Sequence, residues 1–538
     1  MHGFVLDSLS LLFALLSTSN LAVGIPLSDR ATDGLTVSTA QGPVTGTLIS
    51  PRVRQFLGIP YATAARWTAP SAPPQRSTTF NANQFGTTCV ESLDPSHNEF
   101  LELSGAGTLG ADGKPLVHGD ACLSANIWAP STSRPQGTAV LLWVYGGSFE
   151  FGTSNFAAYI GQNFVDAHDD ITVVTFNYRM NIFGQPNAPQ FAVDGQPQNF
   201  GLLDINAAIE WVHSNIAIFG GDPERITLFG QSAGSVAIDA YAYASAASGS
   251  GKVKGIIMES GTLDLALSVP IGKIGTDKAD VDSWNAVAKA VGCGTTGNAA
   301  QLACMRAVDP NVLEKAVLST DTSFTVIADD ATIFSDTRKR AAASNFLHVP
   351  MLIGSTANEG DIFIVAEELL ELGFTIPGVE TVVSNAITKV AFTCPAKTAA
   401  TDRTQAKVPV FRYQYDAVFP DISTRDDLRA YHASEIPIVF GTYNASTASA
   451  APTANEIALS QYVQSAWVAF ARNPTSGLTG NGFAWPEYGA TQQVVLLGND
   501  ANPAGKTVVA ASSVDADCGI IDDLVDAYND IGFVISLL

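Results

Sequence analysis

Ile226-Thr227-Leu228-Phe229-Gly230-Gln231-Ser232-Ala233-Gly234 runs from an apolar, β-branched segment into a serine flanked by glycines. A helix-compatible stretch, residues 235–244, follows directly. Strand, tight turn and helix in that order make a nucleophile elbow. The turn holds its serine in a strained backbone, and a glycine on each side leaves room for it. An ordinary strand–helix turn could carry the same short G-x-S-x-G pattern. The apolar strand before it and the helix after it favour the catalytic reading.

Similar apolar runs recur on both sides of the elbow, at residues 140–144, 171–174, 255–258, 351–353, 410–413 and 494–497. Strands this apolar are expected where both faces of a sheet are covered. Helical stretches separate them, such as 202–215 and 455–472. In the second, Leu459, Val463, Ala466, Trp467 and Phe470 share one face. The alternation predicts an α/β fold with a mostly parallel central sheet, helices on both faces and long insertions. No internal repeat and no Pro/Ser-rich linker divides the chain, so residues 25–538 are expected to form one domain.

A serine needs a base, and the base needs an orienting acid. In an elbow-type hydrolase the chain order is serine, acid, histidine. Only His348 and His432 follow Ser232. His348 directly precedes the strand at 349–353 and leaves little room for an acid in order. His432 lies in a loop-like stretch after the strand near 410–415, so it is the expected base. Asn358-Glu359-Gly360-Asp361 follows the strand at 349–353, and both Glu359 and Asp361 qualify as the acid by type and position. Tyr145-Gly146-Gly147-Ser148-Phe149 follows the strand at 140–144. Its backbone N–H groups at Gly147 and Ser148, with that of Ala233, are the expected oxyanion hole. Because serine avoids the left-handed region, Ser148 is expected to hold a negative φ.

Together these segments resemble the type-B carboxylesterase/lipase family of α/β-hydrolases, which includes cholinesterases and fungal lipases. The resemblance also rests on Asn199-Phe200-Gly201-Leu202-Leu203-Asp204, Phe219-Gly220-Gly221-Asp222-Pro223-Glu224-Arg225, Phe56-Leu57-Gly58-Ile59-Pro60-Tyr61-Ala62 and Asn177-Tyr178-Arg179. Asp120-Ala121-Cys122-Leu123-Ser124 fits more loosely, with Ala121 inserted. The resemblance runs from about residue 35 to 440. It implies ester hydrolysis through an acyl-enzyme, with Ser232 as nucleophile, Glu359 rather than Asp361 as acid, and His432 as base. It implies disulfides Cys89–Cys122 and Cys293–Cys304, which leaves Cys394 with Cys518. Two positions depart from the pattern. Ser148 stands where the family usually has glycine, and Gln231 stands where cholinesterases have an acidic side chain. Residues 90–121 contain no tryptophan, the cation–π platform on which cholinesterases hold choline. A quaternary ammonium substrate is therefore not expected.

The 538 residues carry 28 Lys+Arg against 51 Asp+Glu, a net charge of −23, which repels polyphosphate and argues against a nucleic-acid partner. The apolar residues 9–16, followed by polar residues and then Ala22-Val23-Gly24, read as a signal peptide over residues 1–24 and predict secretion. No segment approaches the length of a membrane span. Six cysteines without a CxxC pair fit an exported, disulfide-bonded chain and give no support to a metal site; no cofactor is expected. Asn444-Ala445-Ser446 is the single glycosylation sequon. Two glycine-rich decoys, residues 105–110 and 248–253, lack the flanking helix or spacing of nucleotide-binding loops. The expected substrate is thus a small-molecule or lipid ester. Apolar residues between Cys89 and Cys122, among them Phe100, Leu101 and Leu103, would suit a lipase lid. An inactive adhesion protein of the family would typically lack the serine present here.

Overall fold

The computed structural model describes residues 33–193, 195–249, 251–264, 281–369, 379–443, 450–480, 482–516 and 518–519. The expected signal peptide, residues 1–24, and the sequon at Asn444 lie outside the described residues. In chain order the strands are β1 (Thr36–Thr39), β2 (Gly42–Thr45), β3 (Thr47–Ser50), β4 (Val53–Pro60), β5 (Phe80–Asn81), β6 (Ser124–Pro130) and β7 (Thr138–Val144), then β8 (Ile171–Phe176), β9 (Gly221–Gln231), β10 (Gly255–Glu259), β11 (Met351–Thr356), β12 (Val410–Tyr415), β13 (Gln493–Leu497) and β14 (Lys506–Ala510). β1, β2 and β5 form a small sheet. The other eleven lie in the order β14-β13-β12-β11-β10-β9-β7-β8-β6-β4-β3.

From β8 through β7, β9, β10, β11 and β12 to β13, every neighbouring pair is parallel. Every residue of β7, β8, β10 and β11 is buried. This explains why these strands read as continuous apolar runs rather than alternating ones. The helix Ala454–Arg472 buries Leu459, Val463, Ala466, Trp467 and Phe470, the face expected from their spacing. Its first turn is closed by a capping box between Thr453 and Glu456, a device worth about 1 kcal/mol. This is the α/β-hydrolase arrangement anticipated from the alternation of elements.

The topology gathers four loops at one edge. β7 lies between β8 and β9, so the strand order reverses there, and ligands of open α/β sheets bind outside the carboxyl ends of strands at such a reversal. The Gly146-Gly147 loop leaves β7, Ser232 follows β9, and Glu359 follows β11. The chain beyond β12 leads to His432. Two sequence motifs brace this edge. Arg179 donates from Nε and Nη2 to the two carboxylate oxygens of Asp204 at 2.7 and 2.8 Å, and both residues are buried. Breaking such a buried pair typically costs about 3–5 kcal/mol, because one charge is left uncompensated.

Disulfides join Cys89 to Cys122, Cys293 to Cys304, and Cys394 to Cys518. The first closes the excursion that carries the helix Pro95–Leu103.

Glu259 ends β10 in full burial. Its Oε1 accepts from Trp467 Nε1 at 2.7 Å, while Oε2 has no partner. Burial pushes its carboxyl up from 4.5 to about 8, against the Trp467 hydrogen bond, which lowers it. Between pH 4.5 and about 8 the fold therefore holds a proton that the unfolded chain has released, so stability falls as pH rises through that window. Glu259→Gln keeps an acceptor for Trp467 and abolishes the ionisation. The fall in Tm between pH 5 and pH 8 should become shallower in this variant, by at least ~1–2 °C; thermal scans at the two pH values measure it.

Candidate active site

Ser232 sits between β9 and the helix Ala233–Ser248 with φ 55° and ψ −127°, a strained backbone for a serine. Its N–H donates to the Glu259 carbonyl at 2.9 Å, and its carbonyl accepts from Val236 N–H at 3.0 Å. Glycine is demanded around it by contact. A Cβ on Gly234 would lie 2.0 Å from the Val144 carbonyl oxygen, and one on Gly146 would lie 2.8 Å from Ser232 Cβ.

The candidate acid and the candidate base meet each other. His432 Nδ1 lies 2.5 Å from Glu359 Oε2, and Glu359 Oε1 accepts from Thr356 N–H at 2.7 Å. Both side chains are buried. A carboxylate only accepts, so the imidazole carries its proton on Nδ1 and presents a lone pair at Nε2. Asp361, the other candidate acid, is committed elsewhere. Its carboxylate is bidentate with Arg429, at 2.7 and 2.9 Å, and accepts from Ser384 Oγ at 2.5 Å. No hydrogen bond joins Ser232 Oγ to His432. Nε2 instead meets Gln231 Nε2 at 3.0 Å. Three phenylalanines surround the imidazole: Phe392 at 4.9 Å, Phe363 at 5.3 Å and Phe100 at 6.3 Å between ring centroids. Phe392 comes from a π-helical turn, Thr388–Thr393, a distortion common near functional sites. None of these contacts has a local sequence signal, because each ring arrives from a separate element.

The loop after β7 departs from expectation. Ser148 has φ +56°, not a negative value, and lies between Gly147 at +107° and Phe149 at +62°. Three consecutive left-handed residues fold the chain back on itself. The turn is closed by Glu150 N–H and Phe151 N–H, which both donate to the Gly147 carbonyl at 2.8 and 3.0 Å. Asn181 N–H pins the Phe149 carbonyl at 2.6 Å. These tertiary bonds outweigh the ~1–2 kcal/mol that a left-handed backbone costs each L-residue. Among the described residues, the N–H groups of Gly147, Ser148 and Ala233 take part in no hydrogen bond. They are free donors beside the serine.

A cavity of about 270 Å³ opens onto Ser232, His432, Gly147 and Ser148. Phe100 and Leu101, from the helix inside the Cys89–Cys122 excursion, line it together with Phe151 and Phe363. A polar flank is formed by Glu150, which accepts from Ser323 Oγ and lies 3.5 Å from His97 Nε2. Two further acids sit behind the site. Glu435 is driven well above the usual carboxylate range by burial and then by the nearby Glu359 and Glu259 carboxyls. Glu91 is raised to about 7, by burial first, and accepts from Gly152 N–H at 3.3 Å. Burial thus favours the protonated form of both carboxyls.

The carboxylesterase family profile matches residues 33–370 and 379–514, and the chain belongs to that family. It is 32% identical to secreted lipase 5 of Gibberella zeae, over 81% of this chain and 84% of that protein. It is 31% identical to the chlorogenic acid esterase of Aspergillus niger, over 89% of this chain and 94% of that one. A solved PNB esterase superposes with a TM-score of 0.71 at 27% identity, covering 88% of this chain and 97% of the other. The chain is thus a carboxylic ester hydrolase.

Two substitution sets test the geometry. Glu359→Gln should lower kcat on the order of 10⁴-fold in a folded protein. Asp361→Asn should weaken the Arg429 anchor and lower Tm with a far smaller loss of turnover. Ser148→Gly keeps the backbone N–H and relieves the left-handed strain. It should gain about 1 kcal/mol in denaturant unfolding and keep activity within roughly tenfold.

Proposed function

We propose that this chain is a secreted serine esterase that works through Ser232, His432 and Glu359 by way of an acyl-enzyme. The observation that carries the reading is the 2.5 Å contact of His432 Nδ1 with buried Glu359, next to a serine held in an elbow. In the first half-reaction Nε2 takes the Ser232 proton as Oγ attacks the ester carbonyl. The N–H groups of Gly147, Ser148 and Ala233 stabilise the oxyanion, Glu359 stabilises the imidazolium, and the protonated alcohol leaves. Water then repeats the sequence on the acyl-enzyme. Three disulfides and the secreted Gibberella zeae relative support an exported protein, and no helix among the described residues is long and apolar enough to cross a membrane.

A cavity of about 270 Å³ suits an acyl group of short to medium length or a single aromatic ring better than an extended long chain. A lipase acting at an interface is the second reading. It is favoured by the helix Pro95–Leu103, which places Phe100 and Leu101 over the site, and by the exposed Leu109 and Val117 on the same excursion. An organophosphonate should label Ser232 stoichiometrically, and Ser232→Ala should abolish both labelling and turnover. Across nitrophenyl esters of increasing chain length, kcat/KM should peak at short to medium chains without a jump at the solubility limit. A jump there, with a maximum at long chains, decides for the lipase.

A further inference from the structure

The hydrogen bond at Nε2 of His432 comes not from the nucleophile but from its neighbour. Gln231 ends β9 and is almost wholly buried, with its Nε2 3.0 Å from His432 Nε2. Among the described residues this is the only hydrogen bond its carboxamide makes. Gly146 packs on the other end of the group, so that a Cβ there would fall 3.0 Å from Gln231 Oε1. The carboxamide therefore bridges the base and the loop that carries the free N–H donors.

With the imidazole proton committed to Glu359, the Nε2 lone pair accepts from the Gln231 amide N–H. That same lone pair must take the proton of Ser232. We infer that Gln231 is a two-way positioning residue for the base, donating to neutral His432 and accepting from the imidazolium through Oε1 once the Ser232 proton has arrived. The inference rests on the triad proposed above. A carboxamide can serve both states because a half-turn of its terminal group exchanges donor for acceptor. A carboxylate, at the same position and size, can serve only the charged state. A thioether can serve neither.

Other ionisable groups near the base do not take over this role. Glu359 is already engaged at Nδ1. Glu435, on the same segment as His432, and Glu259, on β10, are buried acids whose carboxyls burial pushes up, which favours their protonated forms. Tyr413, on β12, is fully buried and stays protonated. Glu150 and His97 pair with each other on the cavity wall, and Glu91 bonds to Gly152. Phe100, Phe363 and Phe392, which pack on the imidazole, carry no charge.

The test is the pH profile of kcat and kcat/KM on a soluble nitrophenyl acetate, for the full-length protein and two variants. Gln231→Met removes both hydrogen-bonding states. It should lower kcat about tenfold, with little change in KM, and move the acid limb to lower pH. Gln231→Glu should move the acid limb up by about one pH unit, as a carboxylate beside an imidazole favours its charged form. Opposite shifts in the two variants support the inference. Acid limbs that stay with the parent protein, with any loss of rate following a loss of Tm, overturn it. If the methionine variant does not fold, an unmoved acid limb in the near-isosteric glutamate variant overturns it alone. Failure of the triad itself shows separately, as absence of organophosphonate labelling at Ser232 in the unsubstituted protein.

Discussion

The site depends on how closely three backbones approach at the elbow. The end of β7, the turn at Ser232 and the chain after β10 are packed with no room for side chains between them. A Cβ on Gly230 would lie 2.6 Å from the Val144 carbonyl oxygen, and one on Gly261 would lie 2.4 Å from the Ser232 carbonyl oxygen. Such contacts fix the serine and the Gly146-Gly147 loop relative to each other without any side-chain bond between them. The strained φ and ψ of Ser232 are held because the surrounding strands and the helix Ala233–Ser248 determine both ends of the turn. Everything that approaches the serine later in the chain approaches a fixed target.

What approaches is chiefly charge, in a setting poor in water. Glu359 and His432 are both buried, and three phenylalanine rings border the imidazole. A short contact in such surroundings is stronger than the same contact in water, and an unpaired charge there is correspondingly costly. The neighbouring acids Glu259 and Glu435 answer to the same constraint, since burial raises both carboxyls and favours their protonated forms. The molecule as a whole is strongly acidic, yet burial favours the protonated form of the carboxyls packed behind the site.

The parts of this design that are legible in the sequence are those with local signatures. Ser232 announces itself through the glycines it needs, and β7 to β12 through the apolar runs that two-sided burial requires. Glu359 and His432 follow from their places behind β11 and β12, although a linear reading could not separate Glu359 from Asp361. The family resemblance favoured Glu359, and the physical reason lies in Arg429, 68 residues from Asp361 along the chain and bidentate with it. The contact between Gln231 and His432 spans 201 residues, and no spacing rule reaches that far. The φ of Ser148 departs from expectation for a different reason. Backbone propensity belongs to the single residue, whereas its φ is set by the bonds that close the turn around Gly147 and by Asn181 N–H on the Phe149 carbonyl. Phe392 was invisible because it depends on a π-helical turn that no pattern in residues 388–393 declares.

The disulfide that spans the most sequence has a bearing on durability under proteolysis. Cys394 and Cys518 are 124 residues apart, and the span between them holds His432 and the strands β12, β13 and β14. A protease that cuts once anywhere in that span opens the polypeptide without releasing a fragment. The piece that ends in the cut and the piece that begins there stay covalently joined through Cys394 and Cys518, and the buried interfaces between them are kept at a very high effective concentration. The nicked molecule would run as one band on a non-reducing gel and as two after reduction. In a medium rich in proteases, the bond lets the first cut pass without dissolving the fold.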